Sequence, residues 1–239
     1  MAPRGLAVFD SHLHIIDPRF PLVANQGFVP EPFTVDDYLG ATEGLGVVGG
    51  AVVSGSFQAF DQAYLLDALQ RLGPGFVGVT QLPAGMKDEE VLALDAAGVR
   101  AVRFNLRRGG SLDIELALRV HELAGWHAEV YATGADLLAH EPRLLAIPRL
   151  VVDHLGLDSD ALPVLRRLGC MVKATGFGRV DLDVEATLRA LDPSKLMFGT
   201  DLPGTRARRP FEPADLDLVA AIAPQALAEN ALAWYRPRA

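Results

Sequence analysis

His12 and His14 stand two residues apart in Asp10-Ser11-His12-Leu13-His14, directly after the apolar run Leu6-Ala7-Val8-Phe9. Side chains alternate faces along an extended strand, so both imidazoles leave the same face and can converge on one point. Two imidazoles placed that way can hold a metal ion, polarise a carbonyl or relay a proton. The pair alone does not separate these uses from a chance exposed pair, so the groups brought to the same end of the fold must decide.

Strand-like runs recur at 6–14, 47–55, 76–82, 100–106, 127–133, 150–155, 170–175 and 195–201, separated by helical or turn segments. A Pro-rich loop (Pro18, Pro21, Pro30, Pro32) leads to a helix opened by Thr34, with Asp36 and Asp37 in its first turn. Leu65, Leu69 and Leu72 mark the next helix, which Gly73-Pro74-Gly75 ends. Helices are expected at 87–97, around Leu116, Val120 and Leu123, at 135–146, and at 158–168 with Pro163 in its first turn. The last are expected around Val184, Leu188 and Leu191 and from 213 to 234.

Eight βα units in a row imply a parallel sheet, and eight is the number that closes a (β/α)8 barrel. The expected fold is α/β, a single (β/α)8 TIM barrel over 1–239, small for its class and with room for distortion. An open doubly wound sheet would want a Gly-rich first turn, where this chain has Ser11-His12-Leu13-His14.

Catalytic groups in such barrels sit at the C-terminal ends of strands. Here those ends carry His12 and His14, Arg103 and Asn105, Tyr131 and Thr133, Asp153 and His154, Lys173 and Thr175, and Thr200 and Asp201. Eight strands would aim these groups into one mouth, which turns the His pair into a site. His121 and His140 fall in helices, where a solvated or capping role is expected, and His127 starts its strand at the opposite face. Lys173 is expected in a structural ion pair inside the barrel; Asp10 and Asp153 should orient neighbours by hydrogen bonding.

With 239 residues, half of them hydrophobic, the chain can bury a large core. No apolar run is long enough to span a membrane, and Met1-Ala2-Pro3-Arg4 leads almost directly into the first strand, so a cytoplasmic location is expected. The net charge of −8 without a basic block argues against nucleic acid and anionic membranes as partners. Cys170, the single cysteine, permits no intramolecular disulfide and reads as a small hydrophobe. Arg103, Arg107, Arg108, Arg179, Arg206, Arg208 and Arg209 follow strands, and a convergent subset would suit a carboxylate through the guanidinium fork.

The chain resembles the amidohydrolase superfamily, most closely its 2-pyrone-4,6-dicarboxylate lactonase-like branch. The likeness is carried by Asp10–His14, Gly98–Asn105, Gly125–His127, Val151–Gly156, Gly199–Pro203 and Asn230–Tyr235. Metal-dependent members usually add a histidine or a bridging lysine from strands four and five, where this chain has Arg103 and Tyr131. The resemblance therefore implies a lactonase without a cofactor. It implies Asp201 as general base, with His12, His14, His154 and Tyr131 polarising the ester carbonyl and Arg103 and Arg179 gripping substrate carboxylate. Leu157 stands where the lactonase has an arginine, the basic residue after Arg-Phe-Asn is displaced to Arg107 or Arg108, and the loops after strands one and eight look short. Lactone chemistry survives these departures better than the dicarboxylate substrate does. The expected partner is a small carboxylated lactone; the oligomeric state stays open, a homo-oligomer included.

Asp201 can take a proton from attacking water and return it to the leaving alkoxide. Each aimed donor to the oxyanion contributes about 3 kcal/mol, so two or three imidazole, phenol or guanidinium donors could replace a metal. Alternatively His12, His14 and Asp201, with or without His154, could hold one zinc ion and a water, giving a metal-dependent amidohydrolase or a non-oxidative decarboxylase. Lactone isomerisation would use the same residues as hydrolysis. A barrel that only binds a small acid would need the arginines but not Asp201.

Overall fold

The computed structural model describes residues 7–236. Leu6 and the stretch Met1–Arg4, on which the first strand's start and the reading of the N-terminus rest, lie outside the described residues. Eight strands form one parallel sheet in sequence order: β1 (Val8–Leu13), β2 (Val47–Val53), β3 (Phe76–Thr80), β4 (Val99–Phe104), β5 (His127–Val130), β6 (Leu150–Val152), β7 (Met171–Ala174) and β8 (Leu196–Phe198). Between them run α1 (Val35–Ala41), α2 (Ala63–Leu72), α3 (Asp88–Ala97), α4 (Ile114–Ala124), α5 (Gly134–Leu144), α6 (Ala161–Leu168) and α7 (Val184–Ala190), with α8 (Pro213–Ile222) and α9 (Glu229–Tyr235) closing the chain. This is the expected (β/α)8 barrel.

Helix starts follow local chemistry. Thr34, expected to open its helix, does so in a reciprocal cap: its Oγ1 accepts from Asp37 N at 3.3 Å while Asp37 Oδ2 accepts from Thr34 N at 2.8 Å. The stretch 213–234, expected to be helical, forms two helices. Pro224 has no N–H to continue α8, and a single 3-10 turn, Pro224–Leu227, redirects the chain into α9.

The period-two alternation of the strands sorts the core into two layers. Phe9, Ala51, Val53, Val77, Val79, Ala101, Val151, Met171 and Met197 pack inside the barrel, while alternate residues such as Val52, Val102, Val130, Val152 and Phe198 pack under the helices. α9 is the floor. Its Ala231 and Tyr235, with Ala228 just before it, join the interior cluster, and the Tyr235 ring stacks on Phe9 with centroids 5.4 Å apart.

Several strands stop short of their expected ends, and the two shortest matter most. β6 ends at Val152 because His154 and Leu155 take left-handed backbone, φ 52° and 54°; β8 ends at Phe198, and Asp201 follows with φ 59°. Left-handed backbone at non-glycine residues is held only by surrounding contacts, and it clusters at functional sites. The barrel seam closes beside them, where Asp201 N donates to His12 O at 2.7 Å and His14 N to Leu202 O at 2.9 Å.

Gly199 permits that closure. A Cβ at this position would lie 2.8 Å from His12 N and 3.0 Å from His12 Cβ, and backbone cannot yield as a side-chain tip can. Gly199→Ala is expected to part β8 from β1, costing about 1–3 kcal/mol of stability, together with a loss of turnover. Thermal unfolding and an activity assay check this; wild-type values for both would show slack in the seam.

Candidate active site

Asp10 ties the site to the seam. Its Oδ1 accepts from Thr200 N at 2.8 Å and His12 N at 3.2 Å, and its Oδ2 from Thr200 Oγ1 at 2.6 Å and Tyr38 OH at 3.1 Å. It is fully buried, and burial pushes its pKa up to about 6 against those four hydrogen bonds. Asp10 therefore orients His12 and Asp201 from behind, the role expected of it.

His12, His14 and His154 meet above this latch, with ring centroids 5.0 Å apart for His12–His14 and 4.6 Å for His12–His154. Asp201 faces all three. Its Oδ1 lies 3.8 Å from His12 Nε2, 3.7 Å from His14 Nε2 and 4.0 Å from His154 Nε2, and has no hydrogen-bond partner. Its Oδ2 is clamped by Arg179, with Nε at 2.7 Å and Nη2 at 2.5 Å. Burial raises the Asp201 pKa to about 6, with Arg179 holding it from rising further. Burial likewise keeps the imidazoles neutral: His14 falls to about 3, and His12 and His154 fall well below the usual histidine range.

His14 has one assignable tautomer. Its Nδ1 is 2.7 Å from Val53 O, and a carbonyl only accepts, so the ring proton sits on Nδ1 and Nε2 presents a lone pair to Asp201 and the cleft. Asp153 takes Arg103 on Oδ2, from Nε at 3.1 Å and Nη2 at 2.8 Å, and its Oδ1 approaches His12 Nδ1 at 3.3 Å and Lys173 Nζ at 3.5 Å. Burial would raise the Asp153 pKa, but Lys173 and then Arg103 outweigh it and hold the carboxyl well below the ordinary range. Lys173 sits in the buried ion pair expected for it, 2.5 Å from Glu129 Oε2.

A cleft of about 340 Å3, its open mouth included, leads down to these groups. It is lined by His14, Arg103, Asn105, Arg108, Tyr131, His154 and Arg179, so most of the predicted residues converge. The Tyr131 ring stands edge-on to His154 at 5.2 Å. Arg107 does not join them: the single 3-10 turn Leu106–Arg108 leaves it exposed, its backbone N donating to Tyr131 O at 3.0 Å, and Arg108 supplies the guanidinium instead. Arg103 and Arg179, expected to grip substrate, are each committed to a carboxylate of the protein. Ser56, Phe57, Thr205 and Arg206 also line the cleft. Arg206 stood among the arginines after strands, but nothing in the sequence marked the other three.

The buried Glu129 was missed altogether. It accepts from Tyr235 OH at 2.6 Å and lies 3.1 Å from His127 Nε2, so the barrel carries a polar column from its floor to Lys173. The signal was present: His127, Glu129 and Tyr131 alternate on the inward face of one strand. His127 has the structural contact expected at the bottom face, and His121 Nδ1 contacts Trp126 O at 2.9 Å beyond the end of α4. A larger cleft of about 900 Å3 beside α2 and α3 is mostly apolar, and its one charged side chain, Arg100, is paired with Asp95 at 3.0 Å.

Donors for a cation are present. His12, His14 and Asp201 bring one ligand atom each to within 4.8 Å of one another, as do His12, Asp153 and His154. His12 Nε2 and Asp201 Oδ1 are buried without partners, and His14 Nε2 offers a lone pair, so the first set fits a divalent ion in donor chemistry. Among the described residues no helix is long and apolar enough to cross a membrane.

Residues 9–236 match a family model described as Amidohydrolase. The 4-sulfomuconolactone hydrolase of Rhizobium radiobacter is 30% identical over 263 residues, covering 93% of this chain and 85% of that protein. The 2-pyrone-4,6-dicarboxylate hydrolase of Comamonas testosteroni is 25% identical over 274 residues, covering 95% and 90%. The crystal structure of a probable 2-pyrone-4,6-dicarboxylic acid hydrolase from Acinetobacter baumannii superposes with a TM-score of 0.84 at 20% identity, covering 96% of this chain and 99% of that one, a likeness of fold.

Proposed function

The chain belongs to the amidohydrolase family, and from that premise we propose that it is a hydrolase opening a small lactone that carries anionic groups. One observation carries the reading: Asp201 Oδ1, buried and unpartnered, faces three neutral imidazoles while Arg179 fixes the other carboxylate oxygen. A carboxylate so held can take a proton from water and return it to the alkoxide as the ring opens. His12, His154 and Tyr131 are the donors proposed for the carbonyl oxygen as it gains charge. His14 leaves that group. Its lone pair accepts from the attacking water instead, because its ring proton is spent on Val53 O.

The substrate's charge is inferred from the cleft. Among the described residues neither Arg108 nor Arg206 makes an ion pair; Arg206 lies over the Phe28 ring at 4.4 Å and donates to Asn25 O, and Arg108 approaches Tyr131 OH at 3.5 Å. Two guanidiniums at the mouth without a carboxylate partner suit a substrate carboxylate or sulfonate, and the two relatives named above act on lactones bearing such groups. We place this activity in the cytoplasm, with no nucleic-acid or membrane partner and self-association left open.

A reaction without a resident metal is the first reading, supported by Arg103 and Tyr131 where strands four and five would otherwise bring further ligands. The fit of His12, His14 and Asp201 to a divalent ion supports a second, in which these residues, with His154 beside them, would hold one zinc ion that acidifies a bound water. The test is metal content of the purified protein, with lactonase activity assayed before and after chelation. Activity that survives chelation is expected. One zinc per chain with activity lost on chelation would replace the first reading by the second, and no turnover of any carboxylated or sulfonated lactone would remove both.

The Asp201 carboxyl must be ionised to act as base, so in the chelated enzyme kcat/KM is expected to rise with pH through about 6 and then level. A profile already flat at pH 4.5 would mean that Asp201 is not the base.

A further inference from the structure

We propose that Lys173 sets the tautomer of His12, so that His12 presents a proton to the reacting centre where His14 presents a lone pair. The use of that proton in catalysis rests on the lactonase reading; the tautomer itself does not.

Lys173 is fully buried at an inward position of β7. Its Nζ lies 2.5 Å from Glu129 Oε2, 3.5 Å from Asp153 Oδ1 and 3.4 Å from His12 Nδ1. It is ion-paired with two carboxylates, and an ammonium has only protons to offer. The contact with His12 Nδ1 is therefore favourable only when that nitrogen carries the lone pair. The ring proton then sits on Nε2, which points at Asp201 Oδ1 and has no partner of its own.

Asp153 competes for the opposite outcome. Its Oδ1, 3.3 Å from the same Nδ1, would draw the ring proton there, but Lys173 Nζ stands 3.5 Å from that oxygen and 3.4 Å from Nδ1, between the two claims on it. Arg103 fixes Asp153 through Oδ2. Glu129 holds the ammonium from the other side and is itself anchored by Tyr235 OH at 2.6 Å. Lys173 thus cannot turn wholly to Asp153. It is a positioning residue, acting through His12.

Opposite tautomers on neighbouring rings suit addition of water to an ester: His14 accepts from the water and His12 donates to the carbonyl oxygen. A cation would need the lone pair on His12 Nε2, with the proton moved to Nδ1 toward Asp153. Lys173 therefore opposes metal loading.

The experiment is long-range 1H–15N correlation on chelated protein labelled with 15N-histidine, His12 being assigned from the signal lost in His12→Asn. The wild type is compared with the double variant Lys173→Met/Glu129→Gln, which leaves no orphaned carboxylate at 129. The wild type is expected to show His12 protonated on Nε2, and the double variant on Nδ1. The variant should also bind zinc about tenfold more tightly and lose about 100-fold in kcat with KM within about threefold. An Nδ1–H His12 in the wild type, or the same tautomer in both proteins, overturns the proposal. If the variant does not fold, the wild-type spectrum alone decides. A protein with the expected tautomer but no lactonase activity would keep this inference and defeat the functional reading.

Discussion

Asp201→Asn is expected to lower turnover by about 10³- to 10⁴-fold while leaving substrate binding within a few-fold of wild type. The amide keeps the shape of the carboxylate and can still accept from Arg179, now at 2.5–2.7 Å on Oδ2, but it cannot take a proton from water. Steady-state kinetics and a direct binding measurement separate the two effects; unchanged turnover would remove Asp201 from the chemistry. The variant also carries a signature in stability. Asp201 and Asp10 are both raised from 3.8 to about 6, so between those values the folded protein binds more protons than the unfolded chain. Stability from these groups is therefore greatest below about pH 4 and is lost as the pH rises through 6. Asp201→Asn should remove its share of that slope and leave the share of Asp10, which denaturant titrations at several pH values would read.

The largest expected effect on stability is that of Arg103→Met. The guanidinium is 3% exposed, donates twice to Asp153 Oδ2, and reaches Ser54 O at 2.8 Å through Nη1. Methionine fills part of the volume but leaves a buried carboxylate with only the approaches of His12 Nδ1 at 3.3 Å and Lys173 Nζ at 3.5 Å. Removing one partner of a buried pair typically costs about 3–5 kcal/mol, which in a chain of this size lowers the melting temperature by roughly 10 °C. Activity should fall with it, because Asp153 would no longer be held beside His12. A melting temperature within 2 °C of wild type would show that Asp153 is sustained without Arg103.

The barrel was legible because alternation is a local property. Ala101 and Arg103, Val151 and Asp153, and Met171 and Lys173 each put an apolar residue and then a polar one on the same inward face, so strand by strand the sequence announced a core with charges above it. Glu129 shares that inward face but follows a polar residue, His127, so the step from apolar to polar that marks the other strands is missing there. The left-handed turns at His154 and Asp201 were not legible, since neither residue is a glycine and the contacts that impose the backbone come from other strands. Partners were hidden for the same reason. That Arg179 belongs to Asp201 depends on where β7 and β8 end in space, and that His14 has spent its proton depends on Val53 O, a backbone atom that no residue type advertises. Arg107 and Arg108 are adjacent in sequence, and a single turn decided which of them faces the cleft.

The floor of the barrel has a consequence for biosynthesis. Tyr235 holds Glu129 through its hydroxyl across 106 residues of chain, and the seam of the barrel joins His12 to Asp201. Early βα units can form on the ribosome, as N-terminal segments commonly do. The column of charges beneath the histidines cannot be completed with them, because Tyr235, its stopper, is synthesised only after all eight strands. Until α9 docks, Glu129 has Lys173 and His127 beside it but not Tyr235, so the support beneath the histidines is completed only when that helix seals the floor.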